Sequence, residues 1–112
     1  MRLTRDFTEL AERHIAGDPD FASAVLCEAV GTALAGDLET DKSLLRSYVE
    51  ATIGFAKLGE ATGNRPKSLI RMFGPRANPR ARNLFSVLGY LQRQAGVQLH
   101  VTAQPSQPIE GV

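Results

Sequence analysis

A run of basic residues in the second half of the chain has the residue types needed to bind a polyanion. Positions 65 to 82 hold six Lys or Arg and no Asp or Glu: Arg65, Lys67, Arg71, Arg76, Arg80 and Arg82. Such side chains neutralise the phosphates of a nucleic acid, and binding is favoured by release of the counterions around them. A solvated basic face is the equally weighted alternative, because short basic runs are weakly specific.

Residues 66–73 are predicted to form a helix that carries part of this charge on one face. At about 100° per residue, Lys67 and Arg71 fall on one side of it. The opposite side holds the apolar residues Leu69, Met72 and Phe73. A helix face with Lys and Arg four residues apart can enter a major groove, where Arg contacts guanine with two hydrogen bonds and Lys reaches guanine or phosphate.

Neighbouring residues extend this face. Arg65 and Ser68 flank it, and Ile70 lies at its edge, where it either contacts a thymine methyl group or belongs to the core. Three further arginines follow in the next loop and helix start, where phosphate contacts are favoured over base contacts. They are Arg76, Arg80 and Arg82.

Three helices are predicted before this region. The first is capped by Thr4 or its neighbour and ends at Gly17, and the second starts with Asp18 as cap and ends before Gly36. The third starts between positions 37 and 40 and ends before Gly54. Their apolar residues recur at helical spacing, which predicts amphipathic helices.

The second half is predicted to contain shorter elements. Two short helices, 55–62 and 66–73, are joined by a turn at Gly63, and a further helix opens at Asn78 and ends at Gly96. Residues 97–101 alternate apolar and polar side chains, which predicts one β-strand. We expect this strand to pair with the same strand of a second copy, giving a homodimer with a palindromic operator.

Size and charge limit the classes of protein that fit. A chain of 112 residues accommodates one domain and at most a small arm. Residues 1–62 carry six basic and eleven acidic residues, a net charge of −5, whereas residues 63–112 carry seven against one, a net +6. No apolar run is long enough to span a bilayer or act as a signal peptide, so a cytoplasmic location is expected.

Other chemistry finds little support in the residue spacing. Asp37, Glu39 and Asp41 imitate the start of a calcium loop, but Lys42 occupies the position of its glycine, which favours a solvated helix start. The single cysteine, Cys27, is expected in the core and cannot form an internal disulfide. Neither histidine has a neighbour at ligand spacing, so we expect no metal site, no cofactor and no enzymatic activity.

The segment 55–74 resembles a helix-turn-helix unit of the repressor kind. Gly59 is small where the second helix approaches the first, Gly63 supplies the turn, and the apolar Leu58, Leu69 and Met72 occupy the shared face. Thr62 and Asn64 depart from the pattern, because such units usually have apolar residues there.

The wider stretch 55–101 resembles the antidote proteins (antitoxins) of addiction modules, in particular HigA-like and Xre-type regulators. The resemblance rests on the joint from Gly74 to Pro79, the helix around residues 84–91 and the closing Val-Gln-Leu-His-Val segment. It implies a dimeric autorepressor of its own operator that neutralises a cognate toxin protein, often a small ribonuclease. Residues 1–53 depart from the small members of that family.

The predicted fold is all-α, with five to six short helices containing a helix-turn-helix and one short C-terminal β-strand. The predicted organisation is an N-terminal helical region (1–53), a helix-turn-helix DNA-binding domain with closing strand (54–102) and a mobile tail (103–112). The expected function is sequence-specific repression by an antitoxin that regulates its own operon. Two alternatives stay open: a stand-alone transcriptional regulator without a toxin, and a helical protein-interaction module whose basic face binds an acidic protein.

Overall fold

All regular secondary structure in the part of the chain that the structure describes is helical. The structure is a computed structural model that describes the backbone of residues 5–106 and the side chains of residues 9–106. The six helices are α1 (Arg5–Gly17), α2 (Pro19–Leu34), α3 (Leu38–Thr52), α4 (Phe55–Thr62), α5 (Pro66–Met72) and α6 (Ala81–Ala95). The all-α prediction is therefore confirmed, whereas the predicted cap at Thr4 lies outside the described residues.

Helices α2 and α3 begin where the capping signals place them. Asp18 Oδ1 accepts hydrogen bonds from the backbone N–H groups of Asp20 and Phe21, at 3.0 and 3.3 Å. Asp37 accepts from the backbone N–H of Thr40 at 3.2 Å and from its hydroxyl at 2.6 Å. These carboxylates satisfy N–H groups that have no partner within the first turn of a helix.

The turn between α4 and α5 is built on two glycines, as predicted. Gly63 adopts a left-handed conformation, with φ at 73°, and its N–H donates to the carbonyl oxygen of Gly59. A Cβ atom on Gly59 would lie 2.6 Å from the carbonyl oxygen of Asn64 and 3.4 Å from the ring of Pro66. Only glycine therefore permits this close approach of the turn to α4.

One hydrophobic core joins all six helices. Its members are Ile15, Ala22, Leu26, Ala29, Leu45, Tyr48, Val49, Phe55, Leu58, Leu69, Phe73, Leu84, Val87, Leu88 and Leu91. The predicted shared face of α4 and α5 is confirmed, because Leu58 and Leu69 are buried and Met72 packs against the core. The two short helices are thus fixed to the rest of the protein by their apolar sides.

Some apolar residues of α2 do not face the core. Cys27, expected in the core, is exposed, and Leu34, an apolar residue at helical spacing, is 68% exposed. Both belong to α2, and that helix is covered mainly on the side that holds Leu26 and Ala29. The spacing of apolar residues indicates a helix, but it does not show how much of the helix surface the neighbouring helices cover.

Helix α6 begins later than predicted. Asn78 does not cap it; Arg80 is the N-cap residue, with an extended backbone and no side-chain hydrogen bond to the first turn. The preceding residues 74–77 form a turn, closed by a hydrogen bond from the N–H of Ala77 to the carbonyl oxygen of Gly74. The cap-then-proline signal at positions 78–79 is overridden by this turn, which a buried lysine holds, as described below.

The predicted strand at residues 97–101 is absent from the described part of the chain. The N–H of Val97 donates to the carbonyl oxygen of Gln92, and the N–H of Leu99 donates to Gln92 Oε1, both at 3.0 Å. Residues 5–106 contain no other strand with which this segment could pair, so α6 supplies its acceptors instead. The strand is therefore not seen within one copy of the chain, and its pairing with a second copy stays a prediction.

Candidate nucleic-acid interface

All eight residues that the sequence singled out are on the surface. Arg65, Lys67, Ser68, Ile70, Arg71, Arg76, Arg80 and Arg82 are exposed. Ile70 is 39% exposed and is not among the core residues, which decides against the core alternative for it. On α5 the two faces are separated as predicted, with Leu69 and Phe73 buried while Lys67 and Arg71 reach solvent.

A cleft of about 250 Å³ brings together residues from two parts of the basic run. Ser68 and Arg71 of α5 line one side of it, and Arg80 and Asn83, at the start of α6, line the other. Arg65, Lys67, Arg76 and Arg82 do not line this cleft. The tertiary structure therefore brings Arg71 and Arg80 to the same cleft, although nine positions separate them in the sequence.

The basic residues of this region have no acidic partner. Among the side chains of residues 9–106, none of the six Lys and Arg residues between positions 65 and 82 forms an ion pair. At the start of α6, Arg80 and Arg82 lie near the positive end of the helix dipole, where acidic side chains are ordinarily favoured. An anion placed there would offset both the positive charges and the uncapped N–H groups.

The polar residues that depart from the helix-turn-helix pattern stabilise the turn. The hydroxyl of Thr62 donates to the carbonyl oxygen of Leu58 at 2.8 Å. Asn64 Nδ2 donates to Thr62 Oγ1 at 3.0 Å, and the backbone N–H of Asn64 donates to the carbonyl oxygen of Gly59. Hydrogen bonds thus replace the apolar packing expected at these positions and satisfy carbonyl groups at the end of α4.

Sequence analysis missed a lysine that anchors the loop between α5 and α6. Lys42 of α3 is only 2% exposed, and its ammonium donates to the carbonyl oxygens of Gly74 and Ala77, each at 2.8 Å. Pro75 O lies at 3.4 Å and Glu39 Oε1 at 3.0 Å from the same nitrogen. The N-terminal helices therefore hold in place the loop that carries the exposed Arg76.

Helical spacing already contained a signal for this contact. Lys42 precedes the buried Leu45 and Val49 by three and seven residues, so it shares their face of α3. A lysine on a buried face is rarely left without acceptors, and backbone carbonyls of a distant loop are among the groups that can supply them. The sequence could not show which loop.

Asp41 is the second ionisable residue buried on α3, which contradicts the prediction of a solvated helix start. Its side chain is fully buried, and neither carboxylate oxygen has a hydrogen-bond partner among the described residues. Burial raises the pKa of Asp41 to about 6, because the charged form loses its hydration. Asp37, by contrast, is an exposed cap whose pKa is lowered by its hydrogen bonds to Thr40.

The acidic half of the chain places carboxylates of two helices together. Glu12 of α1 has a raised pKa, caused first by partial burial and then by a hydrogen bond to Glu50 of α3 and by repulsion from that residue. Arg46 Nε lies 3.6 Å from Glu50 Oε1 and offsets part of this repulsion. This surface is suited to a basic partner rather than to phosphates.

The remaining candidate chemistry does not assemble into a site. Among the side chains that the structure describes, those of residues 9–106, no group of three or more His, Cys, Asp or Glu is arranged to hold a metal ion. The ring of His14 lies 5.9 Å from that of Phe21 and forms a tilted aromatic contact. None of the helices between residues 5 and 106 combines the length and apolarity that crossing a bilayer requires.

Comparison of the chain with protein families, with curated proteins and with solved structures finds no match. Residues 5–106 form six helices, and two short ones among them, joined by a glycine turn, present a basic edge.

Proposed function

We propose that this protein binds duplex DNA through the edge formed by α5, the following loop and the start of α6. The observation that carries this proposal is the cleft that Arg71 of α5 and Arg80 at the start of α6 both line. Both arginines are exposed and lack acidic partners among the described side chains of residues 9–106. Cations held on a rigid frame without counter-ions of their own suit a polyanion.

The edge offers two kinds of contact with DNA. Lys67, Ser68 and Arg71 point away from the core on α5, where a helix in the major groove would meet base edges. Arg76, Arg80 and Arg82 lie on the loop and at the helix start, where phosphate contacts would fix the orientation of the protein. Arg65 and Ile70 flank the base-reading group, and Ile70 is exposed enough to meet a thymine methyl group.

Fold features support α4 and α5 as a helix-turn-helix unit. The buried Gly59, the left-handed Gly63 and the shared apolar face agree with the geometry that such a unit requires. Lys42 adds a constraint on the loop after α5, so the arginines there start from a restricted set of positions. Restriction before binding lowers the entropy lost on binding.

The test is the salt dependence of binding to a duplex of random sequence. Fluorescence anisotropy is measured between 50 and 200 mM salt, where each phosphate contact contributes about −0.9 to the slope of log K against log salt. With five or six contacts, affinity should fall by roughly a thousandfold over this range. Absence of duplex binding at 50 mM salt would end the proposal.

The antitoxin role is a further proposal and rests on the resemblance to addiction-module antidotes. It predicts repression of the protein's own operon and, in the cytoplasm, neutralisation of a toxin encoded beside it. The net −5 of residues 1–62 would speed capture of a basic toxin more than it would raise final affinity. Co-expression with the adjacent reading frame tests the role, with growth rescue as the readout.

Two alternatives give different results in the same experiments. A stand-alone regulator would bind DNA with no toxin to neutralise. A protein-interaction module would bind an acidic protein through the same arginines but would not bind duplex DNA. Duplex binding therefore distinguishes the protein-interaction module from the antitoxin and the stand-alone regulator. Growth rescue then distinguishes the antitoxin from the stand-alone regulator.

A further inference from the structure

An apolar groove lies between α2 and α6 on a part of the surface that the proposed DNA edge does not use. Its volume is about 380 Å³, and residues 99–101 close one side of it. Leu88 of α6 forms part of its buried lining, while Leu34, Phe85 and Val101 are 68, 66 and 70% exposed. Three large apolar side chains on one groove form a patch of the kind that is covered by a macromolecule.

The chemistry of the groove excludes an ionic ligand. It contains no Asp, Glu, Lys or Arg among its lining residues, and its polar side chains include Gln92 and His100. Gln92 already accepts the N–H of Leu99. Most of the remaining lining residues are apolar, and contact with another apolar surface would remove them from water.

The groove has open space at one residue and an exposed aromatic side chain at another. Gly31 of α2 lines it, and a Cβ atom built on Gly31 would meet no atom within 4 Å, so there is open space beside this residue. Phe85 of α6 lines the same groove and projects into solvent. Across a two-fold axis, Phe85 of each copy can enter the space beside Gly31 of the other, because such an interface uses one patch twice.

The helices α2 and α6, which border the groove, carry charges of opposite sign. Helix α2 contains Asp20 and Glu28 and no base, whereas α6 contains Arg82 and Arg93 and no acid. A two-fold axis that runs along the groove sets α2 of each copy against α6 of the other and brings opposite charges together, whereas an axis across the groove would oppose like charges. From these features we infer that the groove is the interface of a homodimer.

This interface is an alternative to the strand pairing expected from the sequence, and it does not depend on DNA binding. Residues 97–101 contribute as the wall of the groove instead of as a paired strand. The dimer is measured without DNA, so failure of the proposed function would leave the inference standing.

The test is the mass of the full chain in solution by sedimentation equilibrium across a range of protein concentrations. We expect a mass near twice 12.1 kDa for the wild-type protein. Gly31→Lys and Phe85→Glu should each weaken dimerisation by at least tenfold, because each buries a charge and places it opposite like charges of the other copy. Leu10→Glu is the matched control on α1, where an exposed leucine is replaced away from the groove, and it should leave the dimer unchanged.

Folding is checked separately for each variant by circular dichroism and thermal unfolding. Gly31→Lys should leave the monomer folded, because lysine has a higher helix propensity than glycine and favours the last turns of a helix. The rate at which a maleimide labels Cys27, which lines the groove, should fall as wild-type concentration rises through the dimer range. A wild-type monomer at every concentration, or a dimer that persists in both groove variants, would overturn the inference.

Charge exchange gives an independent check on the two-fold arrangement. Glu28→Arg and Arg93→Glu should each weaken the dimer several-fold, and the double variant should regain part of the loss. A double variant weaker than either single variant would contradict the pairing of α2 with α6 of the other copy.

Discussion

The ammonium of Lys42 donates a 2.8 Å hydrogen bond to the carbonyl oxygen of Gly74, across 32 positions of sequence. Lys42 belongs to the acidic N-terminal helices, and Gly74 begins the loop that leads from α5 to α6. The Lys42 side chain is buried and its hydrogen bonds to the loop are partly buried, which reduces the competition from bulk water. Through it, the N-terminal helices take part in shaping the proposed DNA edge without contributing a side chain to it.

Replacing Lys42 with Met should lower the free energy of unfolding by about 2–3 kcal/mol, because it leaves buried carbonyl oxygens without a donor. It should also weaken duplex binding, since the loop that carries Arg76 is released. Chemical denaturation and anisotropy provide the two measurements. Lys57→Met, on an exposed lysine of α4, is the matched control and should change stability little. Equal stability of the two variants would show that the lysine does not hold the loop.

Two glycine-to-alanine changes should have opposite effects. Gly59→Ala should destabilise by about 1–3 kcal/mol, because the new methyl group meets the backbone oxygen of Asn64 at 2.6 Å. Gly31→Ala should stabilise by about 0.5–1 kcal/mol, because its site is helical and open. Denaturation at low protein concentration keeps association from contributing. Stabilisation by Gly59→Ala would contradict the close contact between α4 and the turn.

The pH dependence of stability should contain a contribution from Asp41. Its pKa of about 6 in the folded protein exceeds its ordinary value of 3.8, so the folded state holds the proton more tightly than the unfolded state. Protonation of Asp41 therefore stabilises the folded protein below about pH 4, and this stabilisation is lost as the pH rises through 6. Asp41→Asn should therefore raise the Tm by several degrees at pH 7.5 and change it little at pH 4.

Asp37 provides the contrast for that experiment. Its pKa is lowered by hydrogen bonds to Thr40, so its contribution is present above its ordinary pKa and is lost as the pH falls. Asp37→Ala should lower the Tm at pH 7.5 and have a smaller effect in acid. If Asp41→Asn shifted the Tm equally at both pH values, the buried carboxyl group would not be titrating in this range.

Arg71 and Arg80, which line the cleft, should contribute differently to DNA binding. Arg71→Ala should cost about 1–3 kcal/mol of binding to the operator and relax the preference at one base position. Arg80→Ala should weaken operator and scrambled duplexes alike and reduce the salt slope by about 1. Anisotropy titrations of both variants against both duplexes make the comparison. Equal weakening of the two duplexes by Arg71→Ala would place the base-reading face elsewhere.

The sequence by itself determined the local features of this protein. Helix starts at Asp18 and Asp37, the turn at Gly63 and the stop at Gly96 follow from capping and backbone preferences that act over a few residues. The two faces of α5 follow from helical periodicity, which fixes which side chains share a side. The exposure of the eight candidate residues agrees with that reasoning.

Tertiary structure decided everything that depends on which surfaces meet. The capping signal at Asn78 gave way to a turn that Lys42 holds, and residues 97–101 remained unpaired because the described chain offers no second strand. Cys27 and Leu34 stayed exposed, although they are apolar residues of a helix with a buried face, because α6 leaves an open groove on that side of α2. A local pattern records the preferences of a segment, whereas burial depends on contacts between segments distant in sequence, and only the folded chain defines these.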